Sequence, residues 1–365
     1  RLDDFVGRQR TPFLMSNVEK LPVKARDDGP AVTLIGTDLP ESYLEEAEPS
    51  PFMHSVHWWW RRGVGAIKIA GLLAAAAFYP ALIAGSHDIK DDPVVLSAER
   101  PWTSPETGIM ITMIGREIEG PGWASDRADW HPQARLTGLP AWQEALSSSM
   151  SEYVRLMANR AKTPRGTADP DLSAASRLLT VDPQLEQTPR LAAAAEALAR
   201  YEGRFERDLA NSSGGFESLL DKMALMASWS EISVEDLGEQ IALRDGWPAS
   251  KDDIRAFYAA RARAQLASQL IAASLNAEPD IVVSEAVQTR IDRLIAAWRR
   301  AAMLDPVFVS NQSGDARLMA DHLAMMAFYI GEAGRATRDL GGAIIIETEE
   351  NSQAALAGMS PSRSI

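Results

Sequence analysis

The sequence predicts an all-α protein in which a single N-terminal transmembrane helix is followed by a periplasmic multi-helix bundle. An apolar run, residues 64–86, directly follows a cluster of tryptophans and arginines. Beyond it, apolar residues recur at spacings of three and four between stretches rich in Pro and Gly, which is typical of amphipathic helices. The few strand-like runs, such as residues 307–309 and 343–346, are too short to form a substantial sheet.

Residues 1–57 are predicted to be a cytoplasmic tail that is largely irregular. Pro, Gly, Asp and Glu are frequent in it, and no amphipathic period is sustained. Its one strand-like run, residues 31–35, is too short to be stable alone.

Residues 58–86 are predicted to be the transmembrane helix. A helix over the apolar run is about 34 Å long, against about 30 Å for a hydrocarbon core. Tryptophan and arginine at one end are typical of a membrane interface, and a lysine near that end extends its ammonium back to the headgroups. A buried core helix is the alternative. The predicted membrane anchor consists of Trp58, Trp59, Trp60, Arg61, Arg62 and Lys68.

The charges that flank this run predict its orientation. Three positive residues lie on or near its N-terminal end, whereas residues 87–92 carry three aspartates. By the positive-inside rule the N-terminus stays in the cytoplasm. In a bacterium with two membranes, the protein would then lie in the inner membrane with residues 87–346 in the periplasm.

The first helices of the bundle are recognised from their starts and apolar faces. Ser104-Pro105-Glu106 predicts a helix start, and Gly120-Pro121-Gly122 ends that helix after Glu119. The next helix, from about residue 139 to 162, carries an apolar stripe that favours core packing over a cofactor site. The stripe consists of Trp142, Leu146, Met150, Tyr153 and Met157. The residues around Pro164, Gly166, Pro170 and Pro183 are predicted to be a loop.

The remaining helices follow the same pattern. A helix from Thr188 should place Leu209 on its inner face, and Phe216 to Ala227 should be followed by a separate short helix from Ser233. Later helices are predicted over residues 250–276, 284–304 and 315–340. Residues 347–365 are predicted to be a flexible C-terminal tail.

Net charge and composition limit the classes of partner and of chemical site that the protein can have. The net charge is −13, and both soluble parts are acidic, which argues against nucleic acid as a partner. The absence of cysteine excludes disulfides, thiolate metal sites and a cysteine nucleophile.

The sequence offers little chemistry. It contains no phosphate loop, no G-x-S-x-G elbow and no H-E-x-x-H motif, and no catalytic residue, cofactor or metal ligand is predicted. Asp321 and His322 are the most enzyme-like pair, but adjacent helical residues point about 100° apart. Four carboxylates are weighed as a cation site, although turn carboxylates in water are favoured: Asp126, Asp129, Asp169 and Asp171.

Residues 305–314 form a polar connection between the last two predicted helices. Pro306 ends one helix and Gly314 precedes the next. Two alternatives remain open: plain capping, or a recognition loop for a partner protein. The side chains in question are Ser310, Asn311, Gln312, Ser313 and His322.

From residue 60 to about 341 the order of features resembles a bacterial membrane-protein family catalogued as domain of unknown function 2333. The resemblance rests on Gly120-Pro121-Gly122-Trp123, Leu139-Pro140-Ala141-Trp142, Asp169-Pro170-Asp171-Leu172 and residues 305–314 with His322, Met325, Met326 and Tyr329. It implies a single-pass inner-membrane protein with an outward helical domain. It assigns no activity and no catalytic residue, and the tail and residues 178–208 depart from the pattern.

The sequence therefore favours a non-catalytic structural or accessory subunit of a membrane assembly. Its expected partners are the lipid bilayer and other membrane-protein subunits, with no nucleic acid, and a homo-oligomer is left open. The alternatives are a periplasmic enzyme that acts on envelope material through a carboxylate and His322, and a module that binds an envelope ligand between helices.

Overall fold

The computed structural model describes residues 51–85, 89–96, 102–243, 248–278, 284–312 and 320–358. Over these residues the protein is all-helical, which confirms the predicted class. The helices are α1 (Pro51–Gly85), α2 (Pro105–Glu119), α3 (Gly138–Arg160), α4 (Pro170–Leu179), α5 (Gln187–Phe205), α6 (Phe216–Leu243), α7 (Lys251–Ala277), α8 (Glu285–Ala302) and α9 (His322–Gly358). Short 3-10 turns lie at Ala124–Asp126 and Pro132–Arg135.

The chain divides into two units, residues 1–68 and 69–365. In the first, the described part is the beginning of α1, and in the second, α2 to α9 form a helical bundle. The predicted transmembrane span, residues 58–86, falls almost entirely within α1. The span itself is not found, since none of the helices described is both long and apolar enough to cross a membrane.

Helix α7 is the centre of the bundle. It packs against α2, α3, α6, α8 and α9. Its buried residues include five alanines, and such small side chains let neighbouring helices approach it from several sides. A helix that is covered all round has no single apolar face. The alanines are Ala260, Ala262, Ala264, Ala267 and Ala273.

Two groups of helices flank α7. On one side α3 packs on α4, α4 on α5, and α5 on α2, whereas on the other α9 packs on both α6 and α8. The predicted stripe of α3 is confirmed as core, because each of its five members is at most 3% exposed. Periodicity was therefore sufficient to find the buried face of this helix.

Local capping chemistry explains several helix starts. At α7 the Ser250 hydroxyl accepts from the Asp253 amide at 3.0 Å, and the Asp253 carboxylate accepts from the Ser250 amide at 2.8 Å. At α8 the Ser284 hydroxyl accepts from the Val287 amide at 3.2 Å. Both pairs satisfy amides that have no partner within their own helix, as predicted for these serines.

The structure corrects the predicted loop around Pro170, because these residues form α4. The Asp169 carboxylate accepts from the amides of Asp171 and Leu172 at 3.0 and 3.1 Å, and Pro170 occupies the first helical position. Proline at that position loses no intrahelical hydrogen bond. It therefore starts a helix here and does not break one.

The predicted break before Ser233 is also wrong, since α6 continues to Leu243. The Ser233 hydroxyl donates to the Trp229 carbonyl at 2.7 Å and so bonds one turn back, within the helix. The preceding helix is shorter than predicted. It ends at Phe205, and Leu209 is 67% exposed and does not lie on an inner face.

Helix α9 extends beyond its predicted end at Leu340. It continues to Gly358, so the predicted flexible tail is helical over its first part. The strand-like residues 343–346 lie within this helix. Its predicted start at Asp315 and the strand-like residues 31–35 lie outside the described residues.

Hydrogen bonds and an ion pair from α7 hold the segment 89–96, which follows α1 in the chain, on the bundle. The guanidinium of Arg261 pairs with the Asp91 carboxylate, and the amide of Gln265 donates to the Asp91 carbonyl at 2.6 Å. One turn further along α7, Gln269 accepts from the Val94 amide at 3.1 Å. Three side chains spaced four apart on one helix therefore fix this connection.

Candidate functional site

A buried ion pair joins α2 to α6. The Lys222 ammonium donates to both carboxylate oxygens of Glu106, at 2.7 and 2.8 Å. Both side chains are at most 5% exposed. Charged groups are rarely buried this completely unless they are paired, so this pair marks a specialised position in the core.

Two hydroxyl groups extend the pair to α7 and α3. The Ser274 hydroxyl donates to a Glu106 oxygen, and the Tyr153 hydroxyl lies 2.9 Å from the Ser274 oxygen. Burial, and next the negative charge of Glu106, raise the pKa of Tyr153 well above its usual range. Tyr153 therefore stays protonated. We call Glu106, Lys222, Ser274 and Tyr153 the polar core; it links four helices.

The charged groups of the polar core are paired with one another. Both oxygens of Glu106 are engaged by Lys222, and one of them also accepts from Ser274. The geometry is that of an internal brace which fixes how α2, α3, α6 and α7 meet. Its chemistry is the pairing of opposite charges in a medium of low polarity.

A pocket of about 190 Å³ opens beside the polar core. Its walls come from the start of α2, the loop before α6, and the end of α7. The lining residues include Ser104, Glu106, Phe205, Gly214, Lys222 and Glu278. The buried ion pair and the pocket thus lie next to each other in the fold.

Glu202 of α5 holds the start of α2 at the edge of this pocket. Its carboxylate accepts from the Thr103 amide at 2.6 Å and from the Ser104 amide at 3.2 Å. Burial raises the pKa of Glu202, although these amide donors oppose the shift. Ser104, the predicted cap, instead accepts from the Thr107 hydroxyl at 2.9 Å.

The structure places part of the predicted recognition loop inside the protein. Ser310 is fully buried and Asn311 is 2% exposed. The Asn311 amide group donates to the Gln240 carbonyl at 2.8 Å and to the Asp253 carboxylate at 2.9 Å. Gln312 is half-buried, and Ser313 lies outside the described residues. These positions favour the capping and packing alternative for Ser310 and Asn311.

His322 begins α9 and belongs to the same packing arrangement. Its Nδ1 atom lies 2.9 Å from the Ser310 hydroxyl. Burial lowers the pKa of His322, and the charge of Asp321 partly opposes this shift. The Asp321 carboxylate accepts from the Ala324 amide at 2.9 Å and so caps the helix. The imidazole thus bonds to a serine and not to the carboxylate beside it.

Three of the four acidic residues weighed as a cation site have other roles, and the fourth, Asp129, is exposed. Asp126 accepts from the Gln187 and Thr188 amides at 2.8 and 2.7 Å and caps α5. Asp169 and Asp171 both pair with Arg204, at 2.7 and 2.8 Å. Among the described residues, no three His, Cys, Asp or Glu side chains group together as a metal site would require.

The anchor residues of α1 are exposed where they are described. The three tryptophans are between 47 and 70% exposed, and the Arg62 guanidinium lies 3.8 Å from the Trp58 ring centroid. Lys68 is exposed as well. The Arg61 side chain lies outside the described part. The other five members of the predicted anchor are therefore all exposed in the described part of the protein.

Sequence reasoning missed the polar core, although a signal was present. Lys222 falls on the same helical face as Leu219 and Met226, and Glu106 falls on the face of Met110 and Met113. A charge at an apolar position of an amphipathic helix predicts a buried partner. The sequence of neither helix identifies that partner.

Comparison of the chain with protein-family models, curated proteins and solved structures finds no match. The family resemblance drawn from the sequence therefore stays a prediction.

Proposed function

We propose that the protein is a non-catalytic accessory subunit of a bacterial inner-membrane assembly, anchored through α1. The observation that carries the proposal is the exposure of large apolar side chains on α1. Eight of them are between 47 and 73% exposed: Trp58, Trp59, Trp60, Ile67, Ile69, Leu72, Leu73 and Phe78. Apolar surface on this scale marks contact with a membrane or a protein.

The direction of these side chains favours lipid. At about 100° per residue, Ile67, Leu72 and Leu73 point to three different sides of the helix. A helix that docks on one protein surface has one apolar face, whereas a helix in lipid is apolar all round. The tryptophans and Arg62, which precede the apolar run within α1, fit an interfacial position.

The contacts between α7 and the segment 89–96 support a structural role. Only residues 86–88 separate α1 from the segment that Arg261, Gln265 and Gln269 hold on the bundle. A membrane-bound α1 would therefore hold the bundle close to the membrane surface. The charged groups of the polar core pair with one another, and His322 bonds to Ser310, which favours packing over catalysis.

Membrane fractionation of the full chain, expressed in a bacterium, tests the anchor. The chain should sediment with membranes and resist alkaline carbonate. Replacing Leu72 and Leu73 together by lysine should release it, because each charge costs about 2.5–3.5 kcal/mol at the centre of a membrane helix. Replacing the exposed Leu185 and Leu209 by lysine is the matched control and should change nothing. A chain found in the soluble fraction, or a Leu72/Leu73 variant that stays in the membrane, would refute the anchor.

Protease treatment of spheroplasts tests the orientation. Cleavage is expected after Lys90, whereas residues before Trp58 should be protected, since the positive flank lies on that side. Digestion of the tail in intact spheroplasts would reverse the proposed orientation.

The subunit role has its own test. Crosslinking in intact membranes, followed by purification in mild detergent, should place the chain in a complex with a defined membrane protein. A chain that remains monomeric in membranes under crosslinking would refute the role while leaving the anchor intact.

A further inference from the structure

The pocket beside the polar core carries an unbalanced charge. Lys222 and Glu106 neutralise each other within hydrogen-bonding distance. Glu278 also lines the pocket, and its Oε1 atom accepts from the Gly215 amide. Its other oxygen accepts no hydrogen bond from the described residues. The pocket therefore holds one net negative charge and a free carboxylate oxygen.

The position of Glu278 adds to this negative potential. Glu278 is the residue that follows α7, and the last turn of that helix carries no basic side chain. The C-terminal end of a helix bears a partial negative charge, so a carboxylate is unfavourable there unless a cation lies close. The described residues supply no such cation to Glu278.

Glycine lets the loop approach this carboxylate. A Cβ atom on Gly214 would lie 2.7 Å from the Glu278 Oε1 atom, which is too close. The next residue, Gly215, has a φ of +98°, a conformation that favours glycine. The Gly215 amide donates to the Glu278 Oε1 atom, and this hydrogen bond holds the carboxylate at the pocket wall.

The rest of the lining sets the kind of ligand. Phe205 and Leu219 give apolar surface, while Ser104 and Ser212 give hydroxyl groups. The volume of about 190 Å³ is small. For comparison, a cavity of about 150 Å³ admits benzene. The ligand that fits has one cationic group and a short hydrocarbon part.

We propose that this pocket binds a small primary amine as its ammonium ion. The ammonium donates to the free oxygen of Glu278, and the hydrocarbon part lies against Phe205 and Leu219. An anion at Lys222 is the competing ligand. It is disfavoured because Lys222 already donates to both oxygens of Glu106, at 2.7 and 2.8 Å, and an anion would have to displace a buried carboxylate.

Binding of n-butylammonium to the purified full chain in mild detergent tests the proposal, with NMR titration as the readout. Binding should saturate, and neutral 1-butanol and anionic butyrate should bind at least about tenfold more weakly, since they make no charge-assisted hydrogen bond to Glu278. The test does not depend on the membrane proposal, because binding is measured in detergent.

The Glu278→Gln variant isolates the charge. Glutamine keeps an oxygen for the Gly215 amide and loses the negative charge, so butylammonium affinity should fall about tenfold. Glu235→Gln, at an exposed position of α6, is the matched control and should bind as the unaltered chain does. Ala277→Leu, at the pocket rim, should also weaken binding by partly filling the space.

Three results would overturn the proposal. Equal binding of butylammonium and 1-butanol would show that charge is not recognised. Tighter binding of butyrate would assign the pocket to anions. Unchanged affinity in Glu278→Gln, with a normal thermal midpoint, would place the amine elsewhere.

Discussion

Replacing Lys222 by methionine tests whether the polar core braces the bundle. Methionine has a similar length and keeps the apolar contacts of the lysine stem, but it leaves the Glu106 carboxylate with Ser274 as its remaining partner. Breaking a buried pair by removing one member costs about 3–5 kcal/mol of unfolding free energy. At about 2–4 °C per kcal/mol for a domain of 150–250 residues, the thermal midpoint should fall by roughly 6–20 °C.

A double-mutant cycle makes the test specific. Lys222→Met combined with Glu106→Gln removes both charges, so it should recover most of the loss measured for Lys222→Met alone. Arg335→Met is the matched control, because it removes an ion pair whose members are 57 and 48% exposed. It should cost about 0–1 kcal/mol. Urea denaturation of the full chain, followed by circular dichroism, gives the free energies.

Two outcomes would refute this reasoning. A Lys222→Met cost no greater than that of Arg335→Met would show that burial does not strengthen the pair. Additive losses in the double variant would show that Glu106 and Lys222 contribute independently of each other.

Three further predictions follow from the buried polar groups. Asn311→Ala should lower the thermal midpoint by several degrees, because it removes the hydrogen bonds to the Gln240 carbonyl and to the buried Asp253 carboxylate. Gln312→Ala should change the midpoint little, and the reverse order would favour the recognition loop. Burial lowers the pKa of His322, so the unfolded chain binds more protons below about pH 6.5 and stability falls as pH drops through this range. His322→Gln should flatten that slope in denaturation curves at pH 5–8, and an unchanged slope would contradict the assignment. Burial raises the pKa of Glu202, so the folded protein holds this proton more tightly than the unfolded chain does. The resulting stabilisation is complete below the ordinary pKa of glutamate, and it is lost as pH rises through the raised pKa of the folded protein. Glu202→Gln keeps an acceptor for the start of α2 and should raise stability at neutral pH relative to acid; an equal change at both would exclude this cause.

The sequence by itself determined the helical class and most helix positions, because the information for these is local. Apolar spacings of three and four locate a buried face, and a Ser or Asp followed by Pro or an acid locates a start. The stripe of α3 and the cap at Ser250 were found in this way. The errors at Pro170 and Ser233 arose because each of these residue types has two local roles. Proline can break a helix or start one, and serine can cap a helix or lie within it.

Only the tertiary structure decided which distant residues meet. Glu106 and Lys222 lie 116 positions apart, and Asp126 caps α5 from 61 positions away. Hydrogen bonds between elements depend on how helices pack, and no local spacing encodes that arrangement. A charge on an apolar stripe shows that a partner is needed, but its choice depends on the three-dimensional neighbourhood. The burial of Asn311 and the pocket at Glu278 were settled by packing for the same reason.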